Sequence, residues 1–474
     1  MNNLTFAWRA GLVGCLGAAL LSFATVSQSH GGEKATENGN TLKPAGAGEA
    51  KGVASALPGP IKPTDYQSFS PARAALGQKL FYDKILSGNR NIACGTCHNH
   101  DHGTTDGLSL GVGEGGVGVG PKRRFGTGKD RSVKRVPRNA NALFNLGHKD
   151  FRVLFHDGRA STEDSYGRGF NTPAEEWLPL GLTSIAATQA LFPVTSRVEM
   201  AGDPAENEIA AARRERIDHV WPRIAKRVQA VSGYTPLFQQ AYGDVKTAGD
   251  ITMVHIANAI GDFIISEWRS SGAPFDRHLA GDNKALTAAQ KRGLDLFYGE
   301  AGCAQCHTGA LLTDQKFHAL ALPPLGPGRT RVFDPYPRDV GRMGETDDLV
   351  DAYRFRTPSL RNVAATAPYG HNGTYATLEG IVRHHLNPKE ALANYDRSQV
   401  VLPPDAQFDK MDFVVFEDAR EMARLTHRVD VTPRDLDDRA VDDLVAFLHS
   451  LTDEAAIKGR LGKPKTVPSG LLVE

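Results

Sequence analysis

Two five-residue motifs have the residue types and spacing of c-type haem attachment sites. CGTCH occupies residues 94–98 and CAQCH occupies residues 303–307. In such a motif both thiols bond to the porphyrin and the histidine binds the iron. The predicted haem-binding residues are Cys94, Cys97 and His98 at the first motif and Cys303, Cys306 and His307 at the second. Zinc would need two further ligands at each site. The sequence therefore favours two covalently bound haems over zinc or thiol-redox chemistry.

Each motif follows a similar helical lead-in. LGQKLF ends at residue 81 and RGLDLF ends at residue 297, each shortly before a cysteine pair. The apolar spacing predicts helices over 72–82 and 285–297, the second with Thr287 as a candidate N-cap. This internal repeat predicts two duplicated haem domains.

The rest of the chain indicates a mainly α fold, since no sustained period-two segments occur. Further helices are predicted at 206–231, 250–268, 377–386 and 435–451, with loops packed against haem at 103–138 and 319–348. The predicted organisation is a signal peptide (1–29), a flexible tether (30–62), an N-terminal cytochrome c-like domain (63–280) and a C-terminal one (281–474).

The first 29 residues predict export to the periplasm. A lone Arg9 precedes an apolar run from Ala10 to Val26 and a short polar stretch, as in a secretory signal peptide. Cys15 lies in a sequence that resembles a lipoprotein processing box, but the apolar run continues past it, which disfavours a lipid anchor. No later stretch is apolar for long enough to form a transmembrane helix.

Net charge gives no reason to expect a nucleic-acid partner, because it is only +1. One local exception is the run 122–138, which contains eight lysines and arginines. Such a run is typical of a solvated loop. The alternatives are a contact with haem propionates or a docking surface.

Read in order, the motifs resemble the bacterial dihaem cytochrome c peroxidase family, which includes MauG. The resemblance extends from about residue 70 to 455. Besides the two attachment regions, it rests on TDGLSLGVG (105–113), RNANALFN (138–145), FHDGRAS (155–161), VEM (198–200), RTPSLRNVAATAPYGHNGTYATLEGIV (356–382) and LVAFLHSLT (444–452). It implies two cytochrome c-like domains packed face to face. The substrate would be hydrogen peroxide, and the electron donor a small periplasmic c-type cytochrome or cupredoxin. Relatives are often dimers, so a homodimer is possible.

The resemblance also implies roles for particular residues. The N-terminal haem would be the peroxide site, with Glu199 of VEM as its acid–base residue. A carboxylate over the iron can move a proton from the near to the leaving peroxide oxygen. A calcium ion would lie between the haems, bound by the Asn139 side chain and the carbonyls of Thr366 and Pro368; oxygen-only ligation suits this cation.

At the C-terminal haem, the resemblance places the distal ligand fourteen residues after His371, at His385. Related peroxidases usually have methionine there and MauG has tyrosine. We therefore expect ligation by His307 and His385, which lowers the reduction potential relative to a methionine ligand. The neighbouring His384 is a possible substitute.

Two positions depart from the family pattern. Glu114 replaces the histidine that caps the resting catalytic haem in gated peroxidases, so the N-terminal haem is expected to be open in the ferric protein. His156 replaces a tryptophan that relays electrons between the haems, and histidine is harder to oxidise. Electrons would then tunnel between haem edges or pass through a tryptophan, of which the candidates are Trp177, Trp221 and Trp268.

Other functions remain open at this stage. A MauG-like oxidase would use both haems to modify a partner protein. A pure electron-transfer cytochrome would need both irons capped, with His100 or His102 at the first. Rubber-cleaving dihaem oxygenases are more distant relatives. The sequence does not identify the electron donor or a protein substrate.

Overall fold

The computed structural model describes residues 56–128, 131–331, 334 and 336–474. The predicted signal peptide and most of the predicted tether lie outside these residues. Among the described residues, no helix combines the length and the hydropathy that crossing a bilayer requires.

The described chain is mainly helical, as the sequence predicted. The α-helices are α1 Pro71–Tyr82, α2 Cys94–Cys97, α3 Ile185–Gln189, α4 Glu208–Glu215, α5 Val220–Gln229, α6 Thr235–Ala241, α7 Met253–Glu267, α8 Pro274–Leu279, α9 Ala288–Tyr298, α10 Met343–Thr346, α11 Leu378–Leu386, α12 Pro388–Ala393, α13 Ala419–Arg428, α14 Asp438–His449 and α15 Glu454–Lys458. The strands, which pair as three antiparallel ribbons, are β1 Gly116–Val117 with β2 Arg124–Phe125, β3 Val153–Leu154 with β4 Ala160–Ser161, and β5 Phe317–His318 with β6 Phe355–Arg356.

Local caps fix several helix boundaries. The Thr287 side chain accepts a hydrogen bond from the backbone of Gln290, which confirms the predicted N-cap of α9. The prediction of one helix over 206–231 was wrong. Helix α4 ends before Arg216, whose backbone is extended, and α5 starts at Val220. Pro222 fits the first turn of α5, where its missing N–H needs no partner.

The repeated lead-in packs in the same way in both halves. A Cβ atom at Gly77 of α1 would lie 1.9 Å from the carbonyl oxygen of Ala259 in α7. A Cβ at Gly293 of α9 would lie 1.9 Å from the carbonyl oxygen of Asp443 in α14. In each half a glycine lets the helix before the attachment motif cross a later helix at backbone contact distance. The matching pair of crossings is the structural counterpart of the sequence repeat.

Two main apolar cores accompany these helix pairs. The first is built mostly from residues between Leu76 and Trp268, and the second from residues between Phe275 and Leu451. The C-terminal segment returns to the first core, where Ala456 and Val467 are buried. This return was not foreseen from the sequence.

The basic run 122–138 is only partly a solvated loop. Arg123 donates to the carbonyls of Val112 and Gly113, and Arg135 pairs with Asp412 at 2.9 Å; both arginines are buried. Buried guanidinium groups persist where carbonyls and carboxylates satisfy their donors. Arg123 shapes the glycine-rich loop, residues 111–120, and Arg135 connects the basic run to the later part of the chain.

Candidate dihaem site

Helix α2 presents the first attachment motif. The Nδ1 atom of His98, the residue that follows α2, donates a hydrogen bond of 3.0 Å to the carbonyl of Thr104. Such a bond fixes the ring and leaves Nε2 as the metal-binding atom. The His98 side chain therefore has the tautomer and support expected of an axial haem ligand.

The second motif repeats this arrangement. His307 Nδ1 donates to the carbonyl of Leu312 at 3.1 Å. The two accepting residues, Thr104 and Leu312, both have positive φ, at 65° and 53°. Non-glycine residues in this conformation are strained, and such strain clusters at functional sites. In each half, the motif histidine therefore donates to the carbonyl of a residue whose backbone conformation is strained.

Three of the four motif thiols are poorly suited to zinc or to disulfide exchange. The four motif cysteines are unpaired. Burial raises the pKa of the Cys94, Cys97 and Cys303 thiols to about 12. Zinc binding and thiol exchange require thiolates, which are favoured by a lowered pKa. Neutral thiols next to a histidine whose Nε2 can bind iron fit attachment to a porphyrin.

A cavity of about 600 Å³ adjoins the second motif. Its lining is mainly apolar and includes His307, His385, Leu320 and Leu322. This volume lies within the range of cofactor sites, about 300–1,000 Å³. The residues present therefore fit a haem at this position.

His385 faces His307 across this cavity. Their ring centroids are 6.3 Å apart, and His385 Nδ1 donates to the carbonyl of Ile381 at 2.8 Å, which leaves Nε2 free. Two imidazoles on opposite sides of one metal ion, with bonds of about 2 Å, have centroids about 6 Å apart. The spacing suits an iron between them.

His384 is held differently. The Tyr375 hydroxyl donates to its Nδ1 and its Nε2 donates to the carbonyl of Leu320, both at 2.7 Å. Both nitrogens are therefore engaged, and His384 would have to break a buried hydrogen bond to reach a metal.

Glu199 lies in a π-helical turn, Arg197–Ala201. Such turns are rare and occur frequently at functional sites. The turn packs against the glycine-rich loop, where a Cβ on Gly113 would lie 1.9 Å from the Val198 carbonyl oxygen. Burial raises the pKa of Glu199, while the positive charges of Arg159 and Arg329 oppose the rise. Glu199 is also close enough to Cys97 for its charge to raise the pKa of that thiol. A carboxyl with a raised pKa therefore lies near the first attachment motif.

Glu114 adjoins the same turn through its backbone, whose N–H donates to the Val198 carbonyl at 3.2 Å. Its side chain is directed elsewhere: Oε1 accepts hydrogen bonds from the amides of Asn89 and Asn91, both at 2.8 Å. These two amides hold the Glu114 carboxylate through one of its oxygens.

The tip of the β3–β4 ribbon contributes three side chains to the region between the motifs. His156 Nε2 donates to the carbonyl of Asn139 at 3.2 Å, and its ring is 6.4 Å from that of His371. Burial lowers the pKa of His156 to about 3 and that of His371 to about 4. Both imidazoles are therefore neutral at physiological pH and add no positive charge to this region.

Asp157, also on this tip, is the centre of a buried ionic network. It accepts hydrogen bonds from Arg138 at 2.6 Å, Arg159 at 3.0 Å and Arg329 at 2.8 Å. Arg138 continues the network to Asp339 at 2.7 Å. The surrounding guanidinium charges hold the pKa of Asp157 far below its usual range, despite complete burial.

The three residues assigned to calcium line the same cavity: Asn139, Thr366 and Pro368. The Asn139 amide nitrogen donates to the carbonyl of Leu108 at 2.8 Å, which leaves its amide oxygen as the ligand atom. One side-chain oxygen and two carbonyls form a donor set that suits a hard cation.

The other residues singled out from the sequence have separate environments. Both ring nitrogens of His100 are hydrogen-bonded, to Tyr82 and Glu267, and His102 packs against Gly120. Trp221 and Trp268 belong to the first core. Trp177 is 43% exposed, with the Arg216 guanidinium 3.6 Å from its ring centre.

Sequence reasoning missed Asp157, Arg159 and the hydrogen bonds of His100. The first two belong to the FHDGRAS segment, but only His156 was considered there. The available signal was the position of Asp157 and Arg159 on either side of Gly158.

Two CXXCH histidines with supported Nδ1 atoms, a haem-sized cavity and a mainly helical fold define a dihaem c-type protein. The di-haem cytochrome c peroxidase family matches residues 71–284. MauG of Methylorubrum extorquens is 29% identical over 82% of this chain and 80% of its own length. Cytochrome c551 peroxidase of Pseudomonas aeruginosa is 28% identical over 77% and 83%.

Solved structures agree in fold. A MauG-like protein associated with microbial copper homeostasis superposes with a TM-score of 0.52, at 27% identity, covering 85% of this chain and 95% of its own. The diheme peroxidase BthA from Burkholderia thailandensis gives a TM-score of 0.53 at 22% identity, covering 85% and 93%. The chain is therefore similar to the bacterial dihaem cytochrome c peroxidases and to MauG, as its motifs indicated. The similarity supports an oxidoreductase with haem as cofactor.

Proposed function

We propose that this protein reduces hydrogen peroxide to water in the periplasm, using electrons from a small c-type cytochrome or cupredoxin. The observation that supports this most is the asymmetry of the two sites. The first motif has the carboxyl of Glu199, with its raised pKa, nearby, whereas the second has His385 facing its motif histidine. A filled iron carries electrons and an open one admits a small oxidant. The two haem domains, packed face to face, would divide these tasks.

The haems would be bound covalently by Cys94 and Cys97, and by Cys303 and Cys306, with His98 and His307 as proximal ligands and His385 as the sixth ligand of the second. When bound, each haem supplies one-electron redox chemistry at iron. Calcium held by Asn139, Thr366 and Pro368 would stabilise the region between them.

Glu199 would move the proton that cleavage of peroxide requires. Its carboxylate accepts the proton from the near oxygen and returns it to the leaving oxygen, which departs as water. A raised pKa improves this exchange, because the efficiency of a general acid–base is greatest when its pKa approaches the working pH.

A MauG-like oxidase that modifies a partner protein is a second candidate. It is favoured by Glu114, which occupies the position of the capping histidine of gated peroxidases and is hydrogen-bonded to Asn89 and Asn91. The similarity to MauG also favours it. A pure electron-transfer cytochrome is disfavoured, because His100 uses both ring nitrogens elsewhere.

A low-temperature EPR spectrum of the fully ferric protein tests the asymmetry. One high-spin and one low-spin haem would support an open first site. Two low-spin haems would contradict the argument from Glu114. Turnover with reduced cytochrome c then separates the two functions: rapid peroxide-dependent oxidation supports the peroxidase, and negligible oxidation supports the MauG-like route.

Replacement of His385 by methionine should raise the reduction potential of the second haem while keeping it low-spin. Thioether ligation raises haem potentials, and axial ligands account for a range of about 0.8 V. Potentiometric titration followed at the haem absorption bands measures this. His384→Met is the matched control and should leave the potential unchanged. The same potential for His385→Met as for the wild type would remove His385 from the ligand set.

Replacement of Arg159 by glutamine should move the acid limb of the peroxidase pH profile to higher pH. Glu199 must be deprotonated to accept a proton, so activity falls as the pH drops through its pKa. The Arg159 cation lowers that pKa, and its removal raises it further. Steady-state kcat/KM against pH gives the limb. Arg197→Gln, an exposed arginine two residues before Glu199, should leave it in place. An unmoved limb in Arg159→Gln would show that Arg159 does not act on the titrating group.

A further inference from the structure

A hydrogen-bonded chain of three side chains lies beside the first attachment helix. Tyr82, the last residue of α1, donates its hydroxyl hydrogen to Nδ1 of His100. His100 Nε2 donates to Oε1 of Glu267 at 3.0 Å. Tyr82 and Glu267 are buried, and the His100 side chain is nearly so. A phenol, an imidazole and a carboxylate thus form one continuous path for protons.

The phenol end of this chain lies directly against the attachment helix. A Cβ atom at Gly95, between Cys94 and Cys97, would lie 2.3 Å from Cε1 of Tyr82. The ring occupies the space that any larger residue at position 95 would need. The Tyr82 ring is therefore placed at the residues that attach the first haem.

The carboxylate end is sealed by the C-terminal segment. Glu267 accepts hydrogen bonds from the backbone N–H groups of Leu461 and Gly462, at 2.7 and 2.8 Å. A Cβ at Gly459 would lie 2.2 Å from Glu267 Oε1 and 2.8 Å from His100 Nε2. The segment therefore covers the carboxylate end of the chain at contact distance.

We propose that Tyr82 is an internal electron donor to the N-terminal haem site, oxidised to a neutral tyrosyl radical while its proton moves to His100. This rests on the proposed function, because reaction with peroxide supplies the oxidant. One electron leaves the Tyr82 ring for the oxidised site. The hydroxyl proton passes to His100 Nδ1, and the imidazolium that forms stays hydrogen-bonded to the ionised Glu267 carboxylate. His100 gains one proton, and the net charge of the three groups rises by one, matching the electron lost.

The geometry favours Tyr82 over other buried tyrosines of the same half. Burial raises the pKa of Tyr82, so its hydroxyl stays protonated until an electron is removed. An oxidised phenol must release its proton, and a neutral imidazole nitrogen is a better acceptor than an ionised carboxylate of low basicity. Tyr234 donates to the Asp83 carboxylate at 2.6 Å and contacts no imidazole through its hydroxyl. It is the matched control.

EPR of the dihaem holoenzyme, mixed with one equivalent of hydrogen peroxide without donor and frozen rapidly, tests the proposal. The expected result is a narrow radical signal that sharpens when the protein contains ring-deuterated tyrosine. Tyr82→Phe should lose this signal, and Tyr234→Phe should keep it. His100→Gln, which can still accept a hydrogen bond but is not basic, should also lose it and serves as a second variant should Tyr82→Phe fail to fold.

Peroxide consumption by the same wild-type preparation with reduced cytochrome c separates the two proposals. Consumption without a tyrosyl signal overturns the role of Tyr82 and leaves the peroxidase function standing. A signal that persists in both Tyr82→Phe and His100→Gln has the same meaning. A wild-type holoenzyme that neither consumes peroxide nor forms a radical overturns both.

Discussion

Replacement of Glu199 by glutamine should reduce kcat/KM for hydrogen peroxide by about 10²–10⁴, the usual contribution of a general acid–base group. Glutamine keeps the shape and the polarity of the side chain but cannot accept and return the peroxide proton. The glutamine amide does not titrate, so the acid limb of the pH profile should disappear along with the activity. Steady-state kinetics with a reduced cytochrome c donor measure both effects.

Spectroscopy distinguishes this loss from structural damage. Glu199 is not among the proposed haem ligands, so the optical and EPR spectra of Glu199→Gln should match those of the wild type. Glu215→Gln, at an exposed carboxylate that ends α4, is the control and should retain activity. Wild-type turnover in Glu199→Gln would mean that another group transfers the proton and that the asymmetry of the sites has a different purpose.

Much of this fold could be predicted from local patterns. The attachment motifs, their lead-in helices and the Thr287 cap are encoded within short stretches, where periodicity and capping chemistry decide the structure. The break between α4 and α5 was missed because both halves of 206–231 are apolar at helical spacing. Pro222 was the local signal for a second helix, because proline disrupts a helix interior but fits a first turn.

Contacts between distant segments could not be predicted in the same way. Arg123, Arg135 and Arg138 look like members of an exposed basic run, yet each is buried because carbonyls or carboxylates elsewhere satisfy its donors. Asp412, the partner of Arg135, is 277 residues away, and Asp339, a partner of Arg138, is 201 residues away. Periodicity carries no information about such pairs, so the ionic network and the return of the C-terminal segment emerge only in three dimensions.

Replacement of Asp157 by asparagine should lower the free energy of unfolding by about 3–5 kcal/mol, the usual result of removing one partner from a buried ion pair. Three guanidinium groups depend on this carboxylate, and one of them, Arg329, belongs to the second half of the sequence. Asparagine has nearly the same volume but offers one neutral acceptor. Arg138 would keep Asp339 and Arg329 would keep Glu345, whereas Arg159 would lose its carboxylate partner. Chemical denaturation of the holoenzyme measures the change.

The pH dependence gives a second test of the same carboxylate. Because the folded-state pKa of Asp157 is depressed, its stabilisation is complete above the unfolded-state pKa of about 4 and is lost as the pH falls toward the folded-state value. The difference in stability between wild type and Asp157→Asn should therefore shrink in acid. Asp218→Asn, at the edge of the molecule with a single partner, Arg216, should change stability little at any pH. If Asp157→Asn behaved like this control, the network would contribute orientation of Arg159 toward Glu199 rather than cohesion between the two halves, and its effect would appear in the pH profile alone.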